Sequence, residues 1–312
     1  MIVKQSISEA TERLASHIHL TPVLTNQFLN EKVGAELFFK CENFQKTGSF
    51  KARGAVNSVL KLNAHEAANG VATHSSGNHG QALAWAAAQR NLKAYIVMPE
   101  NAPQVKVNAV KYYGGEVIFC EPNLKAREQG LKAVQEKHDA LFIPPYNFEN
   151  IIEGQATASL ELLEEIQDLD FILTPVGGGG LLSGAGLAAR FFSENTRVLG
   201  CEPAEADDAY RSLKAGKLIP LKSTTTIADG LRTSLGDVTF RYISELVDEI
   251  MLCTEEQIIQ AMRLIWERMK IIVEPSCAVP LACALRNPKK FAGKRLGVVL
   301  SGGNVDLANL PF

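Results

Sequence analysis

The sequence predicts an α/β fold in which parallel sheets are wrapped by helices, and three observations lead there. From about residue 70 onward, short β-rich runs alternate with helical stretches, the pattern of repeated strand–helix–strand units. The apolar run Phe171-Ile172-Leu173-Thr174-Pro175 reads as a buried strand, and a glycine turn and a helical pattern follow it directly. With 312 residues, 46% hydrophobic and 21% charged, the chain has ample apolar material for one large core or two modest ones.

Taken in order, Ser6-Ile7-Ser8-Glu9 has the spacing of a capping box, and Ile7, Ala10, Leu14 and Ile18 recur behind it, so the first element is a helix. Thr21-Pro22 ends it or opens a loop, and Leu37-Phe38-Phe39-Lys40 reads as a short strand. After Gly48, the spacing of Val56, Leu60 and Leu62 continues a helical pattern and places Lys51 near a helix N-terminus. Strands are expected over residues 71–74, 94–98, 116–120 and 140–143. Helices between them run from Gln81 to Arg90, from Val105 to Tyr112 and through Arg127 and Lys137. Beyond Pro144-Pro145-Tyr146-Asn147 come helices from Gly154 to Ile166, Leu182 to Phe191 and Glu255 to Met269. Arg197-Val198-Leu199-Gly200-Cys201 and Leu296-Gly297-Val298-Val299-Leu300 are the remaining strands.

Composition excludes several classes of function. A net charge of -2 without a basic stripe leaves no footprint for nucleic acid. The six cysteines show no CxxC pair or zinc-ligand spacing and read as reduced, mostly buried residues. No apolar signal core opens the chain and no run reaches membrane-spanning length, so a cytoplasmic protein is expected, with no membrane partner.

Four segments carry candidate chemistry. Lys51 lies in Thr47-Gly48-Ser49-Phe50-Lys51-Ala52-Arg53-Gly54 among small, aromatic and apolar neighbours. In such a setting desolvation and the positive end of a helix favour a neutral amine, the Schiff-base nucleophile. Taken alone, a lysine so placed is more often a solvated side chain. Gly177-Gly178-Gly179-Gly180-Leu181 joins the buried strand to a helix, where consecutive backbone N–H groups can cradle a phosphate. The spacing is neither GxGxxG nor a lysine-bearing P-loop, and the alternative is a tight turn. Ser75-Ser76-Gly77-Asn78-His79-Gly80 and Leu300-Ser301-Gly302-Gly303-Asn304 are the other two.

In this order the four segments resemble the β-family (fold type II, tryptophan synthase β-like) of pyridoxal-phosphate enzymes, and among these the serine/threonine dehydratases and serine racemases. The resemblance runs from His19 to Leu307 and implies a large cofactor-binding domain, residues 1–69 with 147–312, and a small inserted α/β domain, residues 70–146. It implies that Lys51 carries pyridoxal 5'-phosphate beside Phe50, and that Gly177, Gly178, Gly179, Gly180 and Leu181 hold the phosphate. Asn78 then lies beside the phenolic oxygen, Ser301 at the pyridine nitrogen, and Gly230 and Asn147 near the ring or substrate. Ser75, Asn78 and His79 bind the substrate carboxylate, Ser76 exchanges a proton on the face opposite Lys51, and Arg127 closes over the carboxylate.

Glu202, Asp208 and the Ala206 carbonyl match a Mg2+ or Ca2+ site, while Lys46, Thr47, Gln81, Tyr113, Lys270 and Asn304 match a nucleotide effector pocket. From the residues alone, Ser76 is more often a helix cap, the acidic cluster a solvated loop and Arg127 a helix-surface charge. One departure is Cys277, after Glu274-Pro275-Ser276, where a glycine is more usual. The activity implied is dehydration of L-serine or L-threonine by a homodimer, with serine racemisation or 3-hydroxyaspartate dehydration as alternatives. The rival of another class is a non-catalytic amino-acid or nucleotide binder.

Overall fold

The structure, a computed structural model, describes residues 1–75 and 77–312. Among them, ten strands divide between two sheets. In chain order they are β1 (Val23–Leu24), β2 (Glu36–Cys41), β3 (Val71–His74), β4 (Ala94–Pro99), β5 (Glu116–Cys120), β6 (Leu141–Phe142), β7 (Phe171–Pro175), β8 (Arg197–Pro203), β9 (Glu249–Cys253) and β10 (Arg295–Leu300). The larger sheet runs β1-β2-β10-β7-β8-β9 and the smaller β5-β4-β3-β6. Every pairing is parallel except the short β1–β2 pair. Central strand β10 sets Val298 beside both Phe39 and Leu173. Strand β7 is buried along its whole length, as its apolar run requires in a sheet covered on both faces.

The helix Lys51–Lys61 is the pivot of the architecture. Residues Ala52 to Val59 are all buried. Its Ala55, Val56 and Val59 join Leu83, Ile96 and Met98 in the core of the smaller sheet. On its other side it crosses helix Glu149–Glu165 closely: a methyl group on Gly154 would lie 2.6 Å from the Gly54 Cα. Glycine at both positions permits that approach. All four strands of the smaller sheet fall within residues 71–142, and on that ground we propose the division into residues 70–146 and 1–69 with 147–312. The seam is shared, because Leu14, the Lys51 helix and Ile151 complete the small sheet's core.

Local differences from expectation have local causes. The first helix starts at Lys4, so Ser6 is its third residue and accepts from the Val3 N–H at 3.4 Å from inside the helix. Helix Asn78–Ala88 starts three residues early, directly after Gly77. The pattern read as one helix from Glu255 to Met269 is α-helical only to Leu264 and then widens into a π turn over Ile265–Met269. Strand β9 and helix Pro275–Arg286 lie outside the expected elements, and Pro280 sits inside that helix, against the usual rule for its interior. All six cysteines are free thiols, and five of them are buried. Among the described residues, no helix is long and apolar enough to cross a membrane.

Candidate active site

Lys51 is the first residue of its helix, as the spacing predicts. The loop before it is tightly stitched. Thr47 and Gly48 both have left-handed backbones, at φ 59° and 72°. The Asn304 amide holds them by donating to the Thr47 carbonyl at 2.7 Å, and it also reaches Asn78 Oδ1 at 3.0 Å. The Phe50 N–H donates to the Ser301 carbonyl at 3.0 Å, and Ser49 bridges to Gly302. The lysine loop and the last turn of the large sheet are therefore one unit. The Lys51 amine lies 5.1 Å from the Phe50 ring centroid and donates to the Pro145 carbonyl at 2.7 Å. Burial lowers its pKa to about 8, against the opposing pull of the Glu274 carboxylate.

The glycine turn leaves no room for side chains. A methyl group on Gly178 would lie 2.2 Å from the Tyr146 ring, and one on Gly177 would lie 3.0 Å from the Leu231 Cα. Gly179 has φ 88° and precedes helix Gly180–Phe192, on whose first turn Leu181 is buried. The leading N–H groups of that helix have no carbonyl to bond within it. Tyr146, with its hydroxyl 2.9 Å from Thr233 Oγ1, walls one side of the turn. Gly230 and Leu231 wall the other, and the Gly230 N–H donates to Ser276 Oγ at 3.0 Å. Asn147 is occupied elsewhere: its Oδ1 accepts from the N–H groups of Val238 and Thr239 and caps helix Asp237–Leu246. The adjacent Tyr146 is the side chain that reaches the turn, and a loop carries no periodicity from which that one-residue phase could be read.

The third turn leaves β3. The Ser75 N–H is tied to the Val97 carbonyl at 3.0 Å, and its hydroxyl accepts from the Gly77 N–H at 3.3 Å. Ser76 lies outside the described residues. His79 is 2% exposed and donates from Nε2 to the Ile143 carbonyl at 3.0 Å, leaving Nδ1 buried without a partner among the described residues. Burial, and then the Lys51 charge, push its pKa down to about 3, so the ring is neutral. Arg127 is half-buried on helix Leu124–His138, and after burial its charge is what holds His74 below the ordinary imidazole value.

Glu274 was not anticipated as a site residue. It is 2% exposed, takes the Asn78 amide at 2.7 Å on Oε1 and leaves Oε2 without a partner among the described residues. Burial, with Asp229 nearby, raises its pKa to about 7. The only sequence signal was the oddity at Cys277, three residues on, whose buried thiol sits against the backbone of Gly302 and Ser301. Ser301 itself is buried, with the hydroxyl at the end of β10.

Away from the lysine, Glu202 and Asp208 are both buried, and Ala206 lies in the single turn between them. Glu202 accepts the Ala209 and Tyr210 N–H groups at 3.0 and 2.9 Å, and Asp208 Oδ2 accepts that of Leu235 at 3.0 Å. Asp208 Oδ1 is buried with no partner among the described residues. Burial raises Glu202 well above the ordinary carboxylate range and Asp208 to about 6. Of the candidate effector residues, Thr47 and Asn304 are bonded to each other, and the helix bearing Gln81 packs on the turn Lys46–Gly48. Tyr113 follows helix Gln104–Tyr112, and Lys270 follows the π turn in a left-handed conformation.

Residues 14–302 match the family model described as pyridoxal-phosphate dependent enzyme. The chain is 50% identical to a serine racemase of Dictyostelium discoideum, over 99% of this chain and 97% of that protein. It is 48% identical to a beta-hydroxyaspartate dehydratase of Paracoccus denitrificans, over 97% and 96%. Among solved structures, a threonine deaminase of T.th. superposes with a TM-score of 0.94 at 42% identity, covering 99% of this chain and 100% of that one.

Proposed function

This chain belongs to the pyridoxal-phosphate dependent enzymes, and from that premise we propose that it removes the β-hydroxyl of small β-hydroxy amino acids, L-serine and L-threonine first, releasing a 2-oxo acid and ammonia. The observation that carries the reading is a desolvated amine, Lys51, bonded to the Pro145 carbonyl, next to the Tyr146 that packs on a turn too tight for any side chain. The fit to the cofactor rests on that turn as the phosphate cradle, Gly177 to Gly180 with Leu181, and on Phe50, Asn78, Gly230 and Ser301 around the ring. When bound, the cofactor supplies an electron sink joined to the substrate's α-carbon.

The chain's own groups do the rest. Lys51, once its amine is free, takes the α-proton on its face, a role suited to an amine with a pKa of about 8. Ser75, Asn78 and neutral His79 orient the α-carboxylate, with Arg127 closing the cleft and Asn147 bracing the loop that holds Tyr146. Ser301 offers a hydroxyl where a carboxylate would hold positive charge, which favours fast loss of the leaving group over a long-lived carbanion.

Racemisation is the second reading, supported by the 50% identity to a serine racemase. In it, Ser76 returns a proton on the opposite face before the hydroxyl departs. The test of both is incubation with L-serine, D-serine, L-threonine and 3-hydroxyaspartate, following 2-oxo acid, ammonia and enantiomer. Equimolar 2-oxo acid and ammonia from L-serine or L-threonine are expected. Ser76→Ala then loses D-serine formation while still dehydrating L-serine. Absence of 2-oxo acid from every substrate overturns the reading.

We also assign Mg2+ or Ca2+ to Glu202, Asp208 and the Ala206 carbonyl. Two buried carboxyls, an orphaned Asp208 oxygen and an all-oxygen donor set support a hard cation. A cation there stabilises the charged carboxylates that burial otherwise opposes. Metal at a hundredfold excess over its Kd should add about 2.7 kcal/mol of stability. The matching rise in Tm should reverse with chelator and vanish in Asp208→Asn; an equal rise in that variant removes the assignment. A cytoplasmic homodimer, with a nucleotide effector at Lys46, Thr47, Gln81, Tyr113, Lys270 and Asn304, completes the proposal.

A further inference from the structure

An ion pair joins the helix after β4 to the turn that backs Gly177 and belongs to none of the roles above. Lys106, in the first turn of helix Gln104–Tyr112 beside the smaller sheet, is 6% exposed and pairs through Nζ with the Asp229 carboxylate. Asp229 opens the turn Asp229–Leu231, the same turn whose Leu231 backs Gly177. The ammonium also faces the α-carboxylate turn, since a methyl group on Gly77 would lie 3.5 Å from Nζ.

The two partners are unequally placed. The Lys106 side chain is 7% exposed and that of Asp229 37%. A buried ammonium needs an anion beside it, whereas a half-exposed carboxylate can turn into water at little cost. Lys106 is thus a fixed cation with an exchangeable partner, next to the turn proposed to hold the substrate's first carboxylate. A β-hydroxy amino acid bearing a second carboxylate on its β-carbon places that group three bonds from the first.

We propose that Lys106 determines specificity by binding the β-carboxylate of a dicarboxylic substrate, 3-hydroxyaspartate or its analogues, and that Asp229 is the internal carboxylate which that group displaces. The inference rests on the β-elimination reading and narrows its substrate class. Asp229 stays on Lys106 when serine occupies the site, and leaves when a second carboxylate arrives.

The two halves of the pair then act with opposite sign. In the holoenzyme, Lys106→Met should lower the ratio of kcat/KM for 3-hydroxyaspartate over L-serine by about a hundredfold, the loss of one hydrogen bond between charged groups. Asp229→Asn, which removes the competing anion, should raise that ratio severalfold. L-Aspartate, which has no β-hydroxyl to lose, gives a readout without turnover. Its Kd, titrated through the visible absorbance, should weaken in Lys106→Met and tighten in Asp229→Asn. If Lys106→Met does not fold, the rise in Asp229→Asn carries the test alone. Ratios that fall in both variants or move in neither, or a wild-type enzyme that ignores 3-hydroxyaspartate while dehydrating serine, overturn the inference. A wild-type enzyme that eliminates from no β-hydroxy amino acid defeats the broader reading instead, and L-aspartate binding still decides Lys106.

Discussion

Lys51→Ala is expected to lower turnover by at least about a thousandfold, roughly 4 kcal/mol of transition-state stabilisation, and to abolish visible cofactor absorbance. The amine occupies a site no neighbour can fill: it starts a buried helix and donates to the Pro145 carbonyl, beside the Tyr146 that packs on the glycine turn. Lys51→Arg should not rescue activity, because a guanidinium stays protonated and cannot act as the nucleophile. The pH dependence follows from a pKa of about 8, lowered by burial from 10.5. The neutral, nucleophilic form grows as pH rises through about 8, so cofactor uptake by the stripped enzyme should accelerate up to that pH and level off above it. Stopped-flow absorbance between pH 6 and about 9.5 checks this. Uptake that slows as pH rises through that window contradicts the assignment of a depressed amine.

Arg53→Met is expected to destabilise the fold by about 3–5 kcal/mol, because it strands buried carboxylates. Arg53 is fully buried two residues beyond Lys51. It donates to Glu42 at 2.7 and 2.8 Å and to Glu161 at 2.6 and 2.7 Å, while Lys40 reaches Glu161 at 2.6 Å. Two cations and two anions balance. Burial pushes the Glu42 carboxyl up, but the Arg53 charge and hydrogen bonds outweigh it and hold the pKa below the ordinary 4.5. A lowered folded-state pKa contributes stability above pH 4.5, and that stability is lost as pH falls through the folded value. The gap in thermal stability between wild type and Arg53→Met should therefore be full at pH 7 and narrow in acid. The double variant Glu42→Gln with Arg53→Met should recover part of the loss. A gap unchanged from pH 7 to strong acid contradicts the electrostatic explanation.

What could be read from the chain depended on whether its cause was local. Strands β7 and β10 were legible because a sheet covered on both faces demands apolar runs. The buried Lys51 and the crowded turn Gly177 to Gly180 were legible because a desolvated amine and a turn without room for side chains each need their residue types in one short segment. Glu274 was not, because its meaning comes from Asn78, 196 positions away. Lys106 looked like any surface lysine until the fold set it against Asp229, 123 positions on. Ser6 had the right spacing for a cap but the wrong phase, since a capping box three residues off still looks like one.

The central claim is a covalent one, that the side chain at position 51 carries the cofactor. The direct measurement is to reduce the cofactor-supplied enzyme with borohydride, digest it and locate the pyridoxyl group by mass spectrometry. The account predicts a visible absorbance band before reduction and the adduct on Lys51 after it. A colourless protein, or an adduct on any other lysine, contradicts it.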